Sequence, residues 1–211
     1  MTWIPPRADG AVRMVFVRHG EPDESVRGRC YGRLDVGLSA RGRVQMHQAW
    51  RLLSDAPLSA IYSSPRRRAI ESASVLARRR SGVTVDERLR EIDFGDFEGL
   101  TYNDIAGRYP EKYDEWMTRP TEVAFPGGES FSAMAARVRE ALAHIRSMHP
   151  SETVAIVSHG GVNRIALATA LELDARRIFR LDQAYACVNV IDYIGDEPLV
   201  RLINGGAQVP C

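Results

Sequence analysis

The tetrapeptide Arg18-His19-Gly20-Glu21 follows a short apolar run, Val12 to Val17, and Ser158-His159-Gly160-Gly161 follows a second run, Thr153 to Val157. Two strand-like segments that each end in a histidine beside a glycine suggest two imidazoles at the carboxyl edge of one sheet. Open α/β sheets place their ligands there. Neutral imidazole, with an ordinary pKa of about 6.5, is a good phosphorus nucleophile near neutrality. His19 with Arg18 beside it therefore suits phosphoryl transfer through a phosphohistidine. The second ring nitrogen of His19 is expected to donate to a nearby carbonyl, which would fix the tautomer. Arg18 would point away from His19 in a continuing strand, so it reaches the same phosphate only where the chain turns.

Displacement at a phosphate monoester also needs counter-charge for the transferring oxygens and a proton for the leaving alkoxide. Arg68 lies in Ser63-Ser64-Pro65-Arg66-Arg67-Arg68-Ala69, a strand-turn-helix junction. That junction aims a first-turn arginine at the sheet edge, beside a helix N-terminus that favours anions. Its planar fork matches phosphate oxygens bidentately. Glu91, in Arg88-Leu89-Arg90-Glu91-Ile92-Asp93-Phe94-Gly95, is the proton-donor candidate. A carboxyl beside a bound phosphate dianion holds its proton more tightly, and Leu89, Ile92 and Phe94 add desolvation. Taken singly, each residue has a plainer reading: a hydrogen-bonding histidine, a solvated arginine face, a surface glutamate. His47, His144, His149 and Cys30 keep that plainer reading. The conjunction at strand ends is what points to a site.

Positioning these residues takes an α/β fold. After a loose lead-in over residues 1–10, a strand is expected from about Val12 to Val17, then a loop marked by Gly28, Gly32 and Gly37. Ser39 is a plausible N-cap for a helix from Ala40 to Leu53. A buried strand at 60–64, a helix from about Arg66 to Arg80 and a strand at 83–85 follow. The middle segment, about 92–128, is rich in glycine and aromatics, and short helices near 101–108 and 111–118 would form a cap over the sheet. A helix from Phe131 to Met148, the strand at 153–157, a helix at 161–172 and two strands near 187–194 and 198–203 complete the order. Strands alternating with helices indicate a mostly parallel central sheet flanked by helices on both faces. Residues 11–211 read as one domain. The strand Val188 to Ile194 would serve either as a homodimer edge or as a covered edge.

At 211 residues, 45% hydrophobic and 26% charged, the chain has the composition of an ordinary globular protein. A formal net charge of +1 disfavours nucleic acid and anionic membrane as partners. Cys30, Cys187 and Cys211 are widely spaced and odd in number, which speaks against a disulfide framework. No signal-peptide core or apolar run of membrane-spanning length is present in the sequence. A cytoplasmic setting is the expectation.

The motifs together resemble the histidine phosphatase superfamily, the phosphoglycerate-mutase-like fold, over nearly the whole chain. Arg18-His19-Gly20 resembles the segment with the phosphorylated histidine. Arg29, with Gly32 and Asp35, falls where the family has its arginine and G-x-x-D segment. Ser64-Pro65 with Arg68-Ala69 resembles the S-P-x-x-R-A element, Glu91 its acid–base glutamate segment, and Ser158-His159-Gly160-Gly161 its second-histidine motif. The resemblance implies a two-step reaction without metal or cofactor. His19 attacks phosphorus, Glu91 protonates the leaving oxygen and then activates water, and Arg18, Arg68 and His159 hold the equatorial oxygens. Arg29, Gly20 and Gly160 complete the implied binding set for a small phosphomonoester. The mixed-charge middle segment favours a phosphatase over a bisphosphoglycerate-dependent mutase, which is the alternative. A non-catalytic phosphoryl-binding protein is a third reading, against the presence of both histidines and Glu91. Trp116, Pro126-Gly127-Gly128-Glu129-Ser130 and Ala186-Cys187-Val188-Asn189-Val190 are similar to α-ribazole phosphatases and cofactor-independent phosphoserine phosphatases. Pro22-Asp23-Glu24-Ser25 departs from the family's E-T/S-x-x-N pattern.

Overall fold

A computed structural model describes residues 3–78 and 82–206. Six strands form one sheet: β1 (Val12–Arg18), β2 (Leu58–Ser63), β3 (Val83–Val85), β4 (Thr153–Ser158), β5 (Val188–Ile194) and β6 (Glu197–Gly205). Their spatial order is β3-β2-β4-β1-β5-β6. The pairs β1/β4, β2/β4 and β2/β3 are parallel, and β1/β5 and β5/β6 are antiparallel. The sheet is thus mostly parallel, as expected, with an antiparallel hairpin added on one side. Strand β5 lies between β1 and β6, so Val188–Ile194 is interior and offers no free edge. The strand exposed on that side is β6.

The helices are α1 (Ala40–Leu52), α2 (Arg67–Leu76), α3 (Tyr102–Arg108), α4 (Pro110–Thr118), α5 (Phe131–Met148) and α6 (Gly160–Ala170). Strand periodicity sorts the core into two layers. Met14 and Phe16 of β1, with Val154 and Ile156 of β4, pack on α5, α6 and the middle segment. Val15 and Val17, with Ala155 and Val157, pack on the face that carries Met46 and Ala49 of α1 and Ala73 and Leu76 of α2. Ser39 accepts from Gly42 N as the N-cap of α1, and Thr101 with Asp104 forms a capping box on α3. Helix α2 ends at Leu76, short of the expected Arg80, which lies outside the described residues along with Cys211. The sequence reading also lacks a 3₁₀ turn, Ala175–Arg180, between α6 and β5.

The segment expected as a loose lead-in is tied to the sheet where it is described. Ile4 is buried, and Arg13 donates to the carbonyls of Pro5 and Pro6. Arg13 of β1 faces Asp192 of β5 in register and bonds both its carboxylate oxygens, at 2.6 and 2.7 Å. Arg13 is 3% exposed and Asp192 0%, so the pair lies out of water. Losing one partner of such a pair leaves an uncompensated charge in the interior. Asp192→Ala should therefore destabilise the protein by about 3–5 kcal/mol in urea unfolding; a change under about 1 kcal/mol would show that water reaches Arg13.

Candidate active site

The pairing of β1 with β4 decides where the histidines go. Arg18 is the register partner of Ser158, and His19 N donates to Ser158 O at 2.9 Å, so both strands end at one level. The residues that follow, His19 and His159, meet with ring centroids 5.1 Å apart in an edge-to-face arrangement. Strand β2 ends beside them, with Ser64 N donating to Val157 O. His19 Nδ1 lies 2.7 Å from Gly20 O. A carbonyl only accepts, so Nδ1 carries the proton and Nε2 the lone pair, as expected from the sequence. His159 Nε2 lies 2.7 Å from Ser64 Oγ, which in turn accepts from Arg66 N. The Ser64 hydroxyl can then donate to Nε2, leaving the proton on Nδ1.

Burial, together with the guanidiniums of Arg68 and Arg18, holds the pKa of His19 well below its ordinary value, with the Gly20 carbonyl opposing them. His159 is lowered by burial, then by Arg68, His19 and Arg18. Desolvation and like charge act in the same direction here. Both rings are neutral in the free protein.

Arg18 leaves β1 at its last residue. Its Nη1 donates to Gln183 O, and its guanidinium stacks on Tyr185 with Cζ 4.2 Å from the ring centroid. Arg68 is 0% exposed. Its terminal nitrogens do not form the free phosphate fork anticipated from sequence. Nη1 donates to Leu34 O, and Nη2 to Tyr31 O and Gly32 O, at 2.8–3.0 Å. A buried cation next to a glycine-rich loop is best satisfied by that loop's carbonyls, and Arg68 thereby sets the loop's shape. Asp35 of the same loop accepts from Arg67 N at the start of α2. Arg18 Nε, Arg68 Nε and His159 Nδ1 are left buried without a hydrogen-bond partner, as is Arg66 Nε. Each such orphan costs on the order of 1–3 kcal/mol unless something accepts from it.

Glu91 comes from an irregular segment held by α5. Arg137 donates to the carbonyls of Arg88, Arg90 and Glu91 and pairs with Glu129 at 2.7 Å. The Glu91 carboxylate accepts from Ile92 N at 3.0 Å and from Gly161 N at 3.1 Å, in the first turn of α6. A Cβ at 161 would lie 2.3 Å from Glu91 Oε1, so a larger residue there moves the carboxylate. Gly32 is held more strictly, since a Cβ there would lie 1.7 Å from the backbone oxygen of Ile92. Gly20 packs against the Gly42 backbone of α1, and Gly160 lies where Arg164 and Arg18 converge.

A cavity of about 260 Å³ opens over these groups, lined by Arg18, His19, Arg29, Arg68, Glu91 and Gly161 among others. Gly20, His159 and Gly160 do not line it. Arg29 is exposed at the mouth and donates to Gly99 O. Cys30 also lines it, with burial pushing its thiol up to about 12, which suits packing and not chemistry. A larger cleft of about 360 Å³, around Pro5, Arg13 and Thr153, carries none of these catalytic candidates. Three contributors went unread in the sequence. Arg164 lines the cavity one turn into α6, and Tyr31 and Tyr185 cover Arg68 and Arg18 and share a 2.8 Å hydroxyl contact. Arg164 could have been found by its helical spacing from His159; the tyrosine pair, 154 positions apart, could not. Among the described residues no cluster of His, Cys, Asp and Glu is placed to hold a metal ion, and no helix is long and apolar enough to cross a membrane.

The family model described as "Histidine phosphatase superfamily (branch 1)" matches residues 14–205. Phosphoserine phosphatase 1 of Hydrogenobacter thermophilus is 33% identical over 181 residues, 85% of this chain and 86% of that protein. The solved α-ribazole phosphatase of Shigella flexneri superposes with a TM-score of 0.84 at 28% identity, covering 94% of this chain and all of that one. A mycobacterial glucosyl-3-phosphoglycerate phosphatase gives 0.83 at 31% identity, again over 94% and 100%.

With both imidazoles neutral, the unfolded chain binds protons near pH 6.5 that the folded protein refuses. Their contribution to stability is therefore complete above about pH 6.5 and is lost as the pH falls below it. Imidazole NMR signals of His19 and His159 should show no titration between pH 8 and 6 in the free protein; a midpoint near 6.5 for either would contradict this.

Proposed function

The chain belongs to the histidine phosphatase superfamily and is a phosphoric monoester hydrolase; from that premise we propose that it works without a metal, through a phosphohistidine on His19. The observation that carries the reading is the set of orphaned donors beside His19: Arg18 Nε, Arg68 Nε and His159 Nδ1. A phosphoryl group at that point accepts from all three. Preorganised donors of this kind are each worth about 3–4 kcal/mol of transition-state stabilisation.

In the first step the lone pair on His19 Nε2 attacks phosphorus as the P–O bond to the alcohol breaks, and Glu91 gives its proton to the leaving oxygen. In the second step water attacks the phosphohistidine while the Glu91 carboxylate takes its proton. The P–N bond breaks, its electron pair returns to Nε2, and inorganic phosphate leaves. The bond from Gly161 N to the carboxylate at the start of α6 supports both duties. Gly20 O keeps the proton on Nδ1 throughout. Arg29, at the mouth, assists binding, and Gly20 and Gly160 serve by letting neighbouring groups approach closely.

The substrate in this proposal is a small phosphorylated metabolite, with α-ribazole 5′-phosphate and phosphoserine as the two specific candidates. The free, buried thiols of Cys30 and Cys187 support a cytoplasmic setting.

His19→Ala should lose at least about a thousandfold in kcat/KM on every ester while keeping the native unfolding transition, and only the wild type should trap an acid-labile, alkali-stable phosphoenzyme. Full activity is expected in excess EDTA. Turnover by His19→Ala would end the phosphohistidine reading, and loss in EDTA would reveal a metal. Isomerisation of 3-phosphoglycerate dependent on 2,3-bisphosphoglycerate would establish the mutase instead. Gly161→Ala, which displaces the Glu91 carboxylate, should slow alkyl phosphates about tenfold more than p-nitrophenyl phosphate, whose phenolate leaves without a proton. Equal slowing would remove Glu91 as the acid.

A further inference from the structure

The cavity over His19 has two chemically different linings. One is charged, as described. The other is an apolar wall, built from Ile92, Phe94, Trp116, Phe125, Phe131 and Met134. Trp116 anchors this wall. Its ring meets Phe125 edge-on at 5.3 Å and Phe94 at 5.8 Å, and it stacks nearly parallel on Tyr102, with centroids 5.4 Å apart at 11°. Tyr102 is 46% exposed, so the stack runs from the interior to the mouth.

What the wall lacks is equally informative. Among the described residues lining the cavity, Glu91 is the only carboxylate, and no serine, threonine, asparagine, glutamine or lysine is present. The Tyr31 hydroxyl is engaged by Tyr185. An ammonium group on a substrate would find as its only carboxylate the acid that the reaction itself uses. A polyhydroxylated group would bury hydroxyls against aromatic rings, at a cost for each one left unpaired. The two further cations each spend one donor on a backbone carbonyl: Arg29 donates to Gly99 O, and Arg164 donates to Leu181 O and packs on Phe179.

We infer that the preferred substrate is the phosphate monoester of an aliphatic alcohol that carries an uncharged aromatic ring, seated along Trp116 and Phe94 with Tyr102 at the entrance. An acid at Glu91 matters for an alkyl oxygen and little for a phenol, so the ring is carried on the alcohol and is not bonded to the ester oxygen. This inference rests on the phosphatase reading of the His19 site. It separates the two specific candidates, because phosphoserine brings an ammonium and a carboxylate and no ring.

The test compares kcat/KM for 3-phenylpropyl phosphate, n-propyl phosphate, phosphoserine and 3-phosphoglycerate. The first two share a primary alkoxide leaving group, so the comparison reads the ring and not intrinsic reactivity. The phenylpropyl ester should exceed the other three by at least about thirtyfold, equal to about 2 kcal/mol, the order expected for burying one aromatic side chain. Trp116→Leu and Tyr102→Ala should each reduce the phenylpropyl-to-propyl ratio at least about fivefold. Tyr102 is half exposed, so its variant carries the test if Trp116→Leu does not fold. A ratio near one, a faster reaction with phosphoserine or 3-phosphoglycerate, or a ratio unmoved by Tyr102→Ala would overturn the inference and leave the phosphatase reading standing. No phosphate release from any ester by the wild-type protein would overturn the phosphatase reading, and the inference with it.

Discussion

The level at which β1 and β4 stop, with Arg18 opposite Ser158, governs the arrangement of everything at the sheet edge. Parallel strands in register deliver their next residues side by side, and here those residues are two histidines 140 positions apart. A one-residue slip would turn one imidazole to the other face of the sheet. Around that fixed pair the chain gathers positive charge from β1 and α2, and covers it from water. The neutral state of both rings follows from that enclosure: two guanidiniums and a dry surrounding leave no room for a third or fourth cation.

Holding buried arginines without a carboxylate partner is a second problem, and the fold solves it with backbone. Arg68 is satisfied by three carbonyls of one loop. Arg18 takes the carbonyl of Gln183, whose side chain is itself fixed between Asn163 and Asn189 in a buried amide network. Arg137, which also has a carboxylate partner in Glu129, holds the Glu91 segment by the carbonyls of Arg88, Arg90 and Glu91. Arg18, Arg68, His19 and Glu91 are thus located by hydrogen bonds to main chain, whose position is set by the sheet and helices, while His159 is held by the Ser64 hydroxyl.

The parts that could be read from the sequence are those with local signals. Strands β1 and β4 announce themselves by apolar runs, α1 by Ser39 at its cap, and the site by short motifs at strand ends. A carbonyl partner for the second nitrogen of His19 follows from those; that it is Gly20 O, and that Glu91 meets the start of α6, comes from the structure alone. The rest depends on contacts between distant segments. Nothing near Arg68 says that its terminal nitrogens belong to a loop more than thirty residues earlier, as the bonds to Tyr31, Gly32 and Leu34 show. The Tyr31–Tyr185 contact, the Arg13–Asp192 pair and the burial of β5 under β6 have no local signature either. Gly32 and Gly161 look like ordinary loop and helix-start glycines until the groups they admit, Ile92 O and the Glu91 carboxylate, are seen against them.

The orphaned donors beside His19 act on any anion of the right size, whichever stage of turnover produced it. In the proposed reaction inorganic phosphate would be freed where the ester is cleaved and would meet the same nitrogens, without an organic group to be shed. Occupancy by product therefore competes with the next molecule of ester, and the rate of release becomes a ceiling on throughput. A site built this way slows as phosphate accumulates around it, so its output follows the local phosphate level as well as the supply of ester.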